Sequence, residues 1–142
     1  MPTMKDLLSQ RIYEVPDQFR ESFGSLEIKY NLAITICAAS LFVRNKLAEE
    51  DKDHPLTAFA TDRVGDITAQ MIETNDNTVN LACDLDTFTF MRFSCEEAIT
   101  RMDDFLGFEL LNHNERTSIE KNLNQCAIAL TATIAVAITS ES

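Results

Sequence analysis

Two clusters of carboxylates are the residues of this chain whose types and spacing could do chemistry. The first acidic cluster is Glu49, Glu50, Asp51 and Asp53, and the second acidic cluster is Glu96, Glu97, Asp103 and Asp104. Carboxylate oxygens suit Mg²⁺ and Mn²⁺, so either cluster could serve a small carboxylate-dependent enzyme. Solvated helix faces explain the clusters better. Glu50 and Asp51 stand near a predicted helix C-terminus, where the helix dipole disfavours anions.

The spacing of these carboxylates matches no helical metal site. Helical pyrophosphohydrolases hold Mg²⁺ with paired ExxE and ExxD motifs, and this chain lacks the ExxE pair. Di-iron bundles need a Glu-x-x-His motif on facing helices. The two histidines, His54 and His113, do not follow a Glu at that spacing, and both fall in predicted loops. We therefore predict no metal site, no cofactor and no catalytic residue.

The cysteines do not form a reactive or metal-binding pattern either. Cys37, Cys83, Cys95 and Cys126 make no CxxC pair and stand on or near the apolar faces of predicted helices. A thiol in apolar surroundings has a raised pKa and is a poor nucleophile. We interpret all four as reduced core residues. Together with an N-terminus that lacks an unbroken apolar segment, this predicts a cytoplasmic protein.

Apolar residues at helical spacing run through most of the chain and predict an all-α fold. Four main antiparallel helices are expected, at about 25–51, 54–73, 78–106 and 115–139, with a short helix near Thr3 to Tyr13. The first long helix carries two apolar stripes, which predicts a central position and a contact with the last helix. Residues Thr87 to Met91 have strand-like composition, but the apolar seam of the third helix runs through them.

Length and charge set limits on the domain and its partners. The 142 residues fit one domain, within which we expect 1–24 to be a semi-independent N-terminal segment. The net charge of -11 opposes binding to nucleic acid and to anionic membranes and favours a basic partner. The apolar runs Leu32 to Val43 and Cys126 to Ile138 are shorter than the ~20 residues that span a bilayer.

An excess of phenylalanine is the remaining feature with a functional interpretation. Phe90 and Phe93 fall off the apolar seam of the predicted third helix. They could pack against the N-terminal helix in a monomer core, or form an exposed patch that builds a homodimer through the third helix. The interaction surface predicted from the sequence therefore joins this patch to the second acidic cluster. Its residues are Phe90, Phe93, Glu96, Glu97, Asp103 and Asp104.

These features favour a non-enzymatic protein-interaction module. Acidic helical inhibitors, immunity proteins, adaptors and chaperones share this size, charge and lack of catalytic motifs, and we expect the partner to be another protein, with a basic surface. Two alternatives stay open. One is the carboxylate-dependent Mg²⁺ or Mn²⁺ enzyme, and the other is a sensor that binds a small ligand between the helices of the bundle.

Overall fold

A computed structural model describes residues 2–20, 22–73, 77–107 and 111–141 of the chain. The described part is mostly helical, with one small antiparallel sheet. In chain order the elements are α1 (Met4–Tyr13), a 3-10 turn (Asp17–Phe19), β1 (Phe23–Lys29), α2 (Tyr30–Asp51), α3 (Pro55–Ile72), β2 (Thr78–Asp84), α4 (Leu85–Thr100), α5 (Met102–Leu106) and α6 (His113–Glu141). The predicted helical class is confirmed at this level, whereas the arrangement as an antiparallel four-helix bundle stays a prediction.

Two of the long helices and the N-terminal helix lie close to their predicted positions. α1 begins after Thr3, whose hydroxyl accepts the N–H of Asp6 at 3.2 Å while the Asp6 carboxylate accepts the N–H of Thr3. α3 begins after His54, whose Nδ1 accepts the N–H of Leu56 at 3.0 Å. His54 is thus a helix cap, as its position before Pro55 suggests. His113 is the first residue of α6 and not part of a loop, which corrects its predicted position.

The prediction of helix for residues 25–29 is wrong, because these residues belong to β1. Leu26 and Ile28 are buried while Glu27 and Lys29 are exposed, which is the alternation of a strand with one face on the core. Leu26 and Ile28 also stand four residues before Tyr30 and Leu32. They therefore continue the helical stripe of α2, and a short apolar run of this kind fits either element.

The predicted third helix at 78–106 divides into β2, α4 and α5. Val79, Leu81 and Cys83 alternate inward along β2, a period-two signal that the sequence interpretation missed. The helical interpretation of residues 87–91 is confirmed, because the Asp84 carboxylate caps α4 by accepting the N–H of Thr87 at 2.9 Å. α4 ends at Thr100, because the backbone of the next residue, Arg101 (φ -113°, ψ 42°), is not helical.

The core lies mainly around α4, which is buried along most of its length, while α2 contacts α1, α3, α4, α6 and both strands, as expected for the central position predicted for it. A larger cluster joins the inner face of the sheet to α2, α4 and α6, and a smaller one joins α1, α2, α3 and α4. α6 packs most extensively on α4 and also contacts α2, where the Cys126 thiol donates to the Leu32 carbonyl at 3.4 Å. The predicted contact between the first and last long helices is therefore present, but it is not the main one.

The sheet is a two-stranded ribbon whose helices leave directly from its strands. β1 and β2 pair antiparallel from Phe23 opposite Asp84 to Lys29 opposite Thr78. α2 starts immediately after β1, and α4 starts immediately after β2. α6 crosses the inner face of β1 closely at Gly24. A Cβ added there would stand 3.3 Å from Phe88 and 3.5 Å from Ala137.

α1 is attached to the rest of the chain through both of its ends. The Glu50 carboxylate near the end of α2 accepts the N–H groups of Met4 and Lys5, at 2.7 and 3.1 Å. At the other end of α1, Arg11 contacts Glu96 of α4 at 2.6 Å. Glu50 thus satisfies N–H groups that a helix N-terminus leaves free, at the end where the helix dipole favours an anion.

Candidate interaction surface

Phe90 and Phe93 do not form an exposed patch in this structure. Their exposed fractions are 0% and 2%, and both belong to the smaller core cluster, where Met4 and Leu8 of α1 also lie. The Phe90 ring meets Phe59 edge to face, with 5.8 Å between the ring centroids. Two arrangements were predicted for these phenylalanines, and the structure shows the one in which the N-terminal helix covers them. An interface through their side chains would require α1 to leave.

The second acidic cluster is divided among basic residues of the same chain. Glu96 pairs with Arg11 of α1 and Arg92 of α4, and Glu97 pairs with Arg101.

The aspartates of the same cluster are paired on other helices. Asp103 contacts Arg116 of α6, and Asp104 contacts Lys46 of α2 at 2.7 Å. The Lys46 pKa is raised, mainly by its hydrogen bond to Asp104. The four carboxylates are thus directed at different neighbours. Within the described ranges, no three His, Cys, Asp or Glu residues lie close enough to hold a metal ion.

The cysteines are unpaired and mostly buried. Cys83, Cys95 and Cys126 are buried, and Cys37 is half-buried. Burial raises the pKa of the Cys83 thiol to about 11. The pKa of Cys95 is raised by its hydrogen bond to the Cys126 sulfur and by burial. Neither raised thiol is ionised near neutral pH, so neither is an activated nucleophile.

A polar cleft between α3 and β2 has a volume of about 270 Å³ and contains charged side chains. Arg63 lies over the Phe59 ring and pairs with Asp66 and Asp84 at 3.8 and 3.7 Å. Cys83 also lines this cleft, with Gln70 Nε2 at 3.8 Å from its sulfur. One arginine and three carboxylates line the cleft, so its net charge is negative, and the raised pKa of Cys83 keeps the thiol protonated near neutral pH.

The outer edge of β2 is covered at Ala82 by a glutamine side chain from α3. Gln70 accepts the N–H of Ala82 at 2.9 Å and donates to the Ala82 carbonyl at 3.2 Å. The amide thus makes the two hydrogen bonds that a residue of a neighbouring strand would make. Because both backbone groups of Ala82 point away from β1, the pair of Ala82 with Ser25 is a non-hydrogen-bonded pair of the ladder.

The outer edge of β1 is open. Backbone groups alternate in direction along a strand, so those of Phe23, Ser25 and Glu27 point away from β2. The backbone hydrogen bonds at the two ends of the ladder agree with these directions. The Leu85 N–H donates to the Ser22 carbonyl and the Tyr30 N–H donates to the Asn77 carbonyl, and both pairs continue the register of the two strands. Within the described ranges, no partner is present for the outward groups of these three β1 residues.

A groove of about 310 Å³ runs along this open edge, between β1 and the outer face of α6. We call it the edge groove. Its β1 side is formed by Phe23, Gly24 and Ser25, and its α6 side by small or apolar residues that include Ala132 and Val136. Phe23 is 72% exposed and Val136 is 64% exposed. Apolar surface and free backbone groups therefore lie side by side.

A second groove, which we call the helix groove, lies between α2, α5 and α6 and has a volume of about 470 Å³. Its walls include Ile34 and Leu41 of α2, Phe105 of α5 and Ile119 of α6. The Phe42 and Phe105 rings meet edge to face in its wall, with 5.4 Å between their centroids. It is the more apolar of the two grooves and lies outside the surface predicted from the sequence.

Unpaired carboxylates dominate the charge of the described surface. All arginines except Arg44 make ion pairs with carboxylates of the same chain. The exposed carboxylates that make neither an ion pair nor a hydrogen bond among the described residues are Glu14, Glu27, Asp53, Glu73 and Glu120. Glu27 is the one of these on the open edge.

One described helix is long and apolar enough to cross a membrane by length and composition. It is the span His113–Thr139 of α6, with a mean hydropathy of 1.3 over its most apolar window. This span is longer than the run Cys126 to Ile138 that the sequence interpretation considered. Leu123, Cys126 and Leu130 of α6 are fully buried in the core. A core helix of a soluble protein passes the same test, so the span is weak evidence for a membrane.

Comparison with known proteins adds no family to this description, because the chain matches no protein-family model, no curated protein and no solved structure.

Proposed function

We propose that the chain is a non-enzymatic protein-interaction module that binds another protein through its uncovered apolar surface. The observation that supports this proposal is a set of large apolar side chains on elements whose other faces build the core. Their exposed fractions are 72% for Phe23, 70% for Ile128, 64% for Val136, 48% for Ile34 and 45% for Leu41. Phe23 and Val136 line the edge groove and Ile34 and Leu41 line the helix groove, and exposed apolar surface grouped in this way is typical of protein-binding sites.

The charge of the chain supports a basic partner. The net charge is -11, and most arginines are already engaged by carboxylates of the chain, so the remaining field is negative. A negative surface speeds the approach of a basic protein and discriminates against acidic ones. An inhibitor, immunity protein, adaptor or chaperone of the cytoplasm, with its thiols reduced, fits this combination of charge and apolar grooves.

Site-specific photo-crosslinking tests the proposal. A photoreactive phenylalanine analogue replaces Phe23 in one variant and Ile34 in another, and cells that naturally express the chain are irradiated. The matched control carries the analogue at Glu14, which is exposed but lies outside both grooves. We expect a discrete crosslinked protein from at least one groove position and none from the control. Equal crosslinking at all three positions, or none at any, would refute the proposal.

A ligand-binding sensor is the second candidate, and the helix groove favours it. Its volume of about 470 Å³ lies within the range of small-molecule sites, and its walls are largely apolar. Native mass spectrometry of the purified chain would show a retained ligand, and Leu41→Lys would abolish retention by placing a charge in the groove. This candidate would be excluded if the purified chain carried no ligand and if no added apolar ligand raised its thermal stability.

A further inference from the structure

We propose that the open edge of β1 receives an extended, basic segment of the partner protein as a third strand of the sheet. The inference rests on the proposed function, because it specifies where and in what form the partner binds. It concerns the edge groove alone.

The two edges of the ribbon differ in a way that singles out β1. The outer edge of β2 is occupied at Ala82, where the Gln70 amide bonds both backbone groups. The outward groups of Ser25 and Glu27 have no such cover within the described ranges. Folded proteins commonly block free strand edges, because a free edge pairs readily with a strand of another chain. Gln70 stands where a strand added to β2 would run, whereas no described side chain bonds the outward groups of Ser25 and Glu27, so strand addition is expected at β1.

The groove beside the edge determines which side chains the added strand carries. Side chains of a strand alternate between two faces. On the inner face of β1, an added strand would lie against Ala132 and Val136 of α6, so its side chains there are apolar. On the outer face it would lie beside Ser25 and Glu27, which are polar and exposed, so its side chains there are polar; only at the Phe23 end of β1 is this face apolar. The expected segment therefore alternates apolar and polar residues.

The charges at the edge make the pattern more specific. Glu27 is exposed, lies on the outer face and has no ion-pair partner among the described residues. A Lys or Arg opposite Glu27 in the added strand would form a cross-strand pair of opposite charge. Lys29 follows on the same face at the end of β1, so the residue beside it is not basic. The net charge of -11 favours a segment that is basic overall.

Selection from a random peptide library displayed on yeast tests this inference with the full chain as bait. We expect enriched peptides to alternate apolar and polar residues and to place Lys or Arg at one fixed polar position. With Glu27→Lys as bait, Asp or Glu should replace the basic residue at that position. With Glu120→Lys, a matched charge change at an exposed residue of α6, the basic preference should remain.

Two proline variants test the strand edge itself. Ser25→Pro removes an outward N–H of β1 and should lower affinity for the selected peptides at least tenfold. Asn80→Pro makes the same change on the outer side of β2 and should leave affinity within about twofold. Circular dichroism and thermal unfolding establish that both variants are folded. If both fail to fold, Val136→Lys in the groove, compared with Gln125→Lys elsewhere on α6, makes the same distinction.

The opposing outcomes separate this inference from the proposed function. The selected peptides could lack alternation, and their binding could persist in Ser25→Pro but disappear in Leu41→Lys. This result would place the partner in the helix groove. It would overturn the inference but leave the proposed function intact. A dimer of the free chain that Ser25→Pro dissociates in sedimentation would show that a second copy occupies the edge, which also overturns it. If no peptide is enriched, the inference fails, and the crosslinks at Phe23 and Ile34 then decide the proposed function.

Discussion

Gly24 shows how the absence of one side chain sets the distance between two elements. It lies in β1 beneath α6, and even a methyl group there would press on the Phe88 ring and contact Ala137. The sequence contains no signal for this contact, because Gly24 stands just before the helix predicted to begin at residue 25, where a glycine indicates only a break between two elements. The reason for a glycine at this position becomes clear only once β1 and α6 are known to cross.

Gly24→Val should therefore destabilise the chain by about 1–3 kcal/mol, because the added carbons must displace α6 or the Phe88 ring. Urea unfolding followed by circular dichroism measures this change. Gly65→Ala is the matched control: nothing lies within 4 Å of a Cβ at Gly65, in the middle of α3. This control should stabilise the chain by about 0.5–1 kcal/mol. Equal effects of the two substitutions would contradict the close approach at Gly24.

Cys83 gives a pH dependence that its burial explains. Burial raises the pKa of its thiol from 9.0 to about 11, and the nearby carboxylates of Asp84 and Asp66 act in the same direction. Above pH 9 the unfolded chain loses this proton while the folded chain keeps it. The contribution to stability is therefore complete below pH 9 and falls as the pH rises toward 11.

The free energy of unfolding should fall by on the order of 2 kcal/mol more in the wild type than in Cys83→Ala over this interval. Urea unfolding of both proteins at several pH values measures the difference, and groups common to the two proteins cancel. Parallel pH profiles would show that the Cys83 thiol titrates normally in the folded chain.

Among the elements, those that span several turns were predictable and the short ones were not. α3 and α6 repeat their apolar spacing often enough to exclude other structures, whereas β1 and β2 each bury only two or three inward residues. Both strands also pass into helices without an intervening loop. No turn residue marks the change of period, and the strand residues at 25–29 continue the spacing of α2.

The open edge could not be predicted for a related reason. To identify the open edge one must know the register of β1 and β2, which α2 and α3 separate in the chain. One must also know that Gln70 lies against Ala82. The ion pairs of the second acidic cluster were equally hidden, because Arg11, Lys46 and Arg116 come from three other helices. What the composition did indicate was the excess of negative charge.

Glu50 holds the N-terminal end of α1, so we expect replacement of Glu50 to destabilise α1 and not the rest of the chain. Glu50→Gln replaces the carboxylate that accepts the N–H groups of Met4 and Lys5. We expect a loss of about 0.5–2 kcal/mol in the stability of α1. Hydrogen exchange should become faster in residues 4–13 and stay unchanged in α6.

Glu49→Gln is the matched control for this variant, because the ion pair that Glu49 makes among the described residues is with Lys46, at 3.6 Å on the surface, and not with α1. It should leave exchange in α1 as it is in the wild type. Unchanged exchange in Glu50→Gln would mean that the apolar contacts of Met4 and Leu8 hold α1 without its cap. A strong effect would show that the N-terminal segment can open separately, as the sequence interpretation expects for residues 1–24.

For the whole molecule, the excess of carboxylates makes binding sensitive to salt. A partner steered by the net charge of -11 should bind at least about tenfold more weakly at ~0.5 M than at ~0.05 M salt, since screening shortens the reach of surface charges. Fluorescence anisotropy with a selected basic peptide measures this dependence. The same peptide with its lysines replaced by glutamine should lose most of it. Equal salt dependence of the two peptides would assign recognition to the apolar grooves alone.

The ribbon also has a consequence for the order in which the chain folds. Its strands lie on either side of α2 and α3, so they meet only after that long stretch has become compact, which makes strand pairing slower than helix formation. During refolding, a helical signal should therefore appear before the strands join. In that interval neither strand has its partner and Gln70 has no strand to cover. The nascent chain is then most exposed to aggregation through the same backbone groups that we propose for binding.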